Sequence, residues 1–205
     1  MTVLSTMNRR QMLEQFVSGR IVRIQRAYLE GRSEGNAWLA ELRKSGDTPG
    51  ASPATWTIEF EGFPDELVGK TDEPSPGERA AHLAFCLYAT HQQSQGRPMH
   101  QSGRDHDLGA AVARLQTARS NAAPTDQLPS RFAALGTAGS MDEITHYMRQ
   151  LVTLLRAQEI PLDYGRLAGQ IYRLQNPATA DAVRLEWGRG FAGTIINQLS
   201  DKEED

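Results

Sequence analysis

Between Ser140 and Phe191 two prolines and two capping residues divide the chain into three helical lengths. Ser140 precedes Glu143 by three residues, the spacing of a capping box, in which each side chain satisfies a free backbone donor at the helix start. Asp142 and Glu143 fall at the positive end of the helix dipole and Arg156 near its negative end. Ile144, Tyr147, Met148, Leu151, Val152, Leu154 and Leu155 recur at helical spacing, which predicts a helix with a broad buried face from Ser140 to Ala157. Pro161 bars its continuation, because the residue before a proline is pushed out of the helical region. Asp163 is then placed to cap a second helix with Leu167, Ala168, Ile171 and Leu174. Pro177 ends that helix, and Val183, Trp187, Phe191, Ile195 and Leu199 mark a third. Short connections predict antiparallel packing around one core.

The other faces of these helices are basic. His146, Arg149 and Arg156 lie close to one line on the first, Arg166 and Arg173 on the second, and Arg184 and Arg189 on the third. A basic stripe on a small helical bundle suggests a polyanion, and the competing reading is a solvated arginine-rich surface. Arg184 stands three residues after Asp181, so it also fits an internal ion pair.

A net charge of −3 argues against a uniformly basic nucleic-acid binder, but the average hides an asymmetry. Glu59, Glu61, Asp65, Glu66, Asp72, Glu73 and Glu78 face only Lys70 within one short stretch, and the tail 201–205 is acidic too. Without those segments the remaining body is positive, so one face can meet phosphate while another stays acidic. One cysteine, Cys86, excludes an internal disulfide and fits a reducing cytoplasm. No stretch approaches the ~20 apolar residues of a membrane span, and Met1–Arg10 lacks the apolar run of a signal peptide. The expectation is a soluble cytoplasmic protein with no membrane partner.

Asn8 or Ser5 is placed to cap a long first helix carrying Met12, Leu13, Phe16, Val17, Ile21, Ile24 and Tyr28, with Gly31 as its stop. A shorter helix with Trp38, Leu39 and Leu42 runs from Ser33 to Gly46. Asp47 to Pro76 holds Pro49, Pro53, Pro64, Pro74 and Pro76, which argues against regular structure there. Trp56, Ile58 and Phe60 read as apolar pegs tying that loop to the helices, or as a short extended piece. Pro76 and Glu78 suit the first turn of the next helix, whose inner face is Leu83, Ala84, Leu87 and Tyr88. From His91 to Asp107 the chain is polar and irregular, a length of loop that is either functional or mobile. Asp107 caps a helix with Leu108, Ala111, Val112 and Leu115. Ser120–Thr125 reads as a linker, and Pro129 opens a short helix with Phe132, Ala133 and Leu135. The fold class is all-α: a two-lobed helical bundle with a long Pro/Gly-rich loop in its N-terminal half. Its parts are an N-terminal lobe over 1–125 with the acidic loop 47–78, a C-terminal bundle over 126–200, and the acidic tail 201–205.

Catalytic signatures are sparse. His82 and Cys86 stand four apart on one helix, with His91, His100 and His106 downstream. One thiol and histidine spacings that match no compact metal motif argue against a zinc site. A buried thiol in apolar surroundings is a poor nucleophile, and no Gly-x-Ser-x-Gly elbow or Gly-rich phosphate loop is present. Neither catalysis, a cofactor nor a metal is expected.

In order along the chain stand Leu42-Arg43-Lys44 with Pro49-Gly50 and Trp56, then His82, then Leu87-Tyr88-Ala89-Thr90-His91-Gln92-Gln93. Pro98-Met99-His100, Leu108-Gly109 and Arg131-Phe132 with Leu135 follow. Last come Leu155-Arg156, Ile160 to Tyr164 with Arg166-Leu167-Ala168, and Val183-Arg184-Leu185 with Trp187-Gly188-Arg189 and Phe191. This ordered set resembles the CasB family, the small subunit of the type I-E CRISPR surveillance complex Cascade, from about Arg9 to Phe191. Pro129 and Ser130 stand where that pattern has a further arginine, and Gly190 and Gly169 where it has acids. These departures put one phosphate contact and one internal ion pair in doubt.

The resemblance implies a non-catalytic all-helical subunit. A pair of copies would sit beside the repeated backbone subunit and the large subunit and touch guide RNA, target DNA and the displaced strand. Carried onto matching pieces, the expected nucleic-acid contacts are Arg43, Lys44, Arg97, His100, Arg131, Arg156, Arg166, Arg184 and Arg189. Arg104, in the polar loop, and Arg149, on the basic stripe, join them from placement alone. The alternative is a helical protein–protein scaffold without direct nucleic-acid contact.

Overall fold

The computed structural model describes residues 7–119 and 128–203. Ser120–Thr125 lies outside them, as do the side chains of the acidic tail. Nine α-helices are present among the described residues: α1 Arg9–Leu29, α2 Ser33–Lys44, α3 Pro53–Phe60, α4 Pro76–Gln92, α5 Leu108–Ala118, α6 Leu128–Thr137, α7 Met141–Ala157, α8 Tyr164–Leu174 and α9 Pro177–Glu203. The all-α class is what the periodicity predicts.

Local chemistry sets most helix starts. Asn8 and Gln11 form a full capping box on α1, and Ser75 and Glu78 form another on α4. Asp163 accepts from the Arg166 N–H and Asp107 from the Ala110 N–H, as their positions predict. Ser140 likewise caps α7, but the Glu143 carboxylate reaches the Gly139 N–H at 2.8 Å, so the expected reciprocal box does not close on Ser140.

The proline-rich segment departs from expectation. Pro53 occupies the first turn of α3, where its missing N–H costs nothing, and Ser52 caps the helix by accepting from Thr55. Five prolines therefore punctuate 47–76 without abolishing helix. Ile58 and Phe60 are buried as pegs from a helix, whereas Trp56 is 55% exposed. The polar stretch 91–107 is anchored at Met99, fully buried, whose carbonyl accepts from Leu162 N at 3.0 Å, with a single bridge joining His100 to Leu162.

The core runs through helices on both sides of residue 125. α1 packs along α8, α5 along α9, and α4 against both α7 and α8. The three C-terminal helices thus do not close on themselves: α8 and α9 pack together, while α7 makes its main contacts with α4 and α6. At Gly109 a Cβ would meet the Trp187 carbonyl and, at 2.9 Å, the Phe191 nitrogen, so α5 and α9 touch backbone to backbone. Trp187 is buried there, donating its indole N–H to Gln170 Oε1 at 2.9 Å.

Candidate nucleic-acid interface

The eleven expected contact residues fall into distinct environments. Arg43 and Lys44 occupy the last turn of α2 and Arg156 the last turn of α7, where a cation also complements the helix dipole. Arg43 is exposed, and among the described residues it hydrogen-bonds only a backbone carbonyl, Ala89 O, at 3.4 Å. Arg156 is half-buried and reaches the neutral Gln93 Oε1 at 3.5 Å. Burial lowers the Arg43 pKa; the nearby Tyr28 opposes that and the Arg156 charge adds to it. The two guanidiniums, from different helices, thus reach acceptors four positions apart at the C-terminal end of α4, and neither has an ion pair among the described residues. Lys44 is exposed and has no ion pair among the described residues.

Other cations of the set are engaged. Arg149 Nη2 lies 2.5 Å from Asp47 Oδ1 and Arg97 Nη1 3.5 Å from Glu159 Oε2, both pairs solvent-exposed. Exposed pairs contribute little and open readily. Arg184 is held by Asp181 Oδ1 at 2.9 Å and by the Ala138 carbonyl at 2.8 Å, the internal tie its spacing allows. Arg131 is half-buried at the start of α6.

Arg166 and Arg104 line a cavity of about 300 Å³ with Glu14, Ser18, Ser102 and Asp163. Among the described residues Arg166 Nε has no hydrogen-bond partner, and it lies 4.0 Å from Asp107 Oδ2. A Cβ at Gly190 would meet that Asp107 carboxylate at 2.5 Å, so the space over residue 190 is taken by an acid from α5's cap. Arg104 is exposed on a 3-10 turn, and Arg189 is exposed on α9; neither has an ion pair among the described residues.

His100 is placed differently from its expectation. It is 3% exposed, with Nε2 3.0 Å from Ser18 Oγ and Nδ1 accepting from the Tyr164 N–H at 3.1 Å. An acceptor Nδ1 fixes the neutral tautomer with hydrogen on Nε2. Burial agrees, lowering the His100 pKa. This side chain fastens the polar loop to α1 and α8.

Sequence reasoning overlooked Glu59. It is fully buried on α3, 2.8 Å from His82 Nδ1, and completes a cluster with Cys86. Its membership in an acidic run disguised it, since only the start of α3 at Pro53 turns it inward.

Among the described residues the body is all-helical, which places the chain among the all-α proteins. A family model, CRISPR-associated protein Cse2, matches residues 38–191. The chain belongs to the Cse2 family of CRISPR-associated proteins. The crystal structure of CasB from Thermobifida fusca is similar, with 34% identity, a TM-score of 0.72, and 88% of this chain and 97% of that chain covered. M. ruber CasB matches at 24% identity with a TM-score of 0.62, over 88% of this chain and 97% of that one. A Cse2-family protein from Thermus thermophilus matches at 25% with a TM-score of 0.61 and the same coverage. No curated protein matches. Family membership supports a subunit of the Cascade assembly and fits a role without catalysis. Among the described residues no helix is long and apolar enough to cross a membrane.

Proposed function

We propose that this chain is a non-catalytic, nucleic-acid-binding subunit of a type I-E Cascade complex, holding the guide–target assembly and the displaced DNA strand of the R-loop. The observation that carries the reading is that Arg43 and Arg156, two permanent cations from different helices, both donate to neutral oxygens at the C-terminal end of α4. A phosphate at either guanidinium would supply the counter-charge and take bidentate hydrogen bonds. Lys44 extends the patch, and the exposed Arg149 and Arg97 can leave their carboxylates for a phosphate at small cost.

R-loop formation exchanges one duplex for another of similar stability, so contacts to the opened backbones tip the balance. Guanidinium–phosphate contacts do this without reading a base. The partners are then guide RNA, target DNA, the backbone and large subunits, and a second copy of the chain, in the cytoplasm.

The test is binding of single-stranded DNA by the full chain across a salt series, alone and in the reconstituted assembly, where avidity raises a weak patch to measurable affinity. The reading expects log affinity to fall linearly with log salt. Affinity equal to that of a neutral control protein in both settings overturns it. A second reading, a protein–protein scaffold, draws on Leu185, Ile196 and Leu199, which are 52%, 61% and 57% exposed and share one face of α9 at helical spacing. It expects that same absence of DNA affinity, with assembly intact.

A further inference from the structure

His82 and Cys86, one turn apart on α4, share a face, and α3 delivers Glu59 to the same point. All three are buried, and one ligand-type atom from each lies within 4.8 Å of the others. Glu59 Oε1 is 2.8 Å from His82 Nδ1, and Cys86 Sγ is 3.9 Å from that nitrogen. Zinc bonds to sulfur, nitrogen and oxygen place tetrahedral ligand atoms roughly 3.3–3.7 Å apart. The nitrogen–sulfur separation is therefore close to its bound value, and the nitrogen–oxygen separation needs to open by about half an ångström.

The surroundings are those of a supported metal centre. His82 Nε2 faces the Gly46 carbonyl at 3.2 Å, so its N–H is oriented outward and Nδ1 is left to coordinate. The second carboxylate oxygen of Glu59 accepts from the Gly50 N–H at 3.0 Å, which fixes the orientation of the carboxylate. His82 and Cys86 also form part of the wall of a cavity of about 290 Å³, with Asp47, Asp142 and His146 around it. That cavity supplies a path in and room for a water.

We propose that Glu59, His82 and Cys86 bind a zinc-class divalent cation through Oε1, Nδ1 and Sγ, with water from the adjoining cavity as the fourth ligand. A thiolate beside an imidazole selects a borderline-soft ion over magnesium or calcium. Coordination requires an unprotonated Nδ1 and a thiolate, so binding releases whatever protons those two atoms carry. Bound there, the ion pins the proline-rich segment to α4 and stabilises the folded chain in proportion to its occupancy.

The test uses the tag-free, metal-stripped full chain and Co²⁺ as the probe. The expected result is saturation at equimolar Co²⁺, with a thiolate-to-cobalt charge-transfer band and intense tetrahedral visible bands, both erased by added Zn²⁺. Cys86→Ala, which keeps the Glu59–His82 pair and so its fold by circular dichroism, should lose the charge-transfer band. His146→Ala, at the cavity rim, should keep it. Zn²⁺ should raise the Tm of the wild type and not that of Cys86→Ala. Absence of a charge-transfer band at stoichiometric Co²⁺ overturns the proposal, as does a Zn²⁺-induced Tm rise of equal size in the two proteins. DNA affinity plays no part in these readouts, so the site stands or falls apart from the nucleic-acid reading.

Discussion

Arg43 on α2 and Arg156 on α7 both reach the C-terminal end of α4, the first donating to Ala89 O and the second to Gln93 Oε1, and neither is paired with a carboxylate among the described residues. Several other arginines are paired with acids, as at Arg149–Asp47, Arg173–Glu186 and Arg184–Asp181. Cations without an acid partner among the described residues are open to the counter-charge a phosphate backbone supplies.

Gly109 allows α5 and α9 to meet at backbone distance. Gly109→Ala should destabilise the fold by about 3 kcal/mol, because the added methyl faces the Trp187 carbonyl rather than a side chain that can turn away. Urea unfolding monitored by far-UV circular dichroism reads this directly.

Glu59 and His82 form a buried ion pair. Burial alone would lower the His82 pKa, but hydrogen bonds with Cys86 and Glu59 outweigh it and raise the imidazole to about 10. The folded value lies above the ordinary 6.5, so the contribution is complete below pH 6.5 and is lost as pH rises through about 10. Glu59→Gln should cost about 3–5 kcal/mol at pH 6 by stranding a charge. The gap to the wild type should narrow toward pH 10, measured by denaturant unfolding of the metal-stripped proteins at both values.

His91 shows the opposite sign. Burial, helped by the Arg156 charge, lowers it to about 3, and burial lowers His100 as well. A depressed folded value means stability is present above pH 6.5 and is lost as pH falls toward about 3. The wild type should weaken over that range, and His91→Asn should weaken less, measured by Tm against pH.

Much of the fold was legible because its signals are local. Asn8, Asp107, Ser140 and Asp163 all cap the helices their neighbours predict, since a cap and its target lie within three residues. The Arg184–Asp181 tie was visible for the same reason. What escaped depends on distant segments meeting. Arg149 finds Asp47 across 102 positions, His100 finds Ser18 across 82, and no periodicity reports either. Glu59 looked like one acid among seven until Pro53 proved to open a helix rather than to forbid one.

Phosphate binding by the Arg43–Arg156 patch is read out by comparing wild type with Arg43→Glu/Arg156→Glu for single-stranded DNA across a salt series. The double variant should bind more weakly, with a slope of log affinity against log salt shallower by about 1.4, two phosphate contacts at about 0.7 each. A double variant that folds normally and keeps both the wild-type affinity and the wild-type slope would show that the patch holds no phosphate.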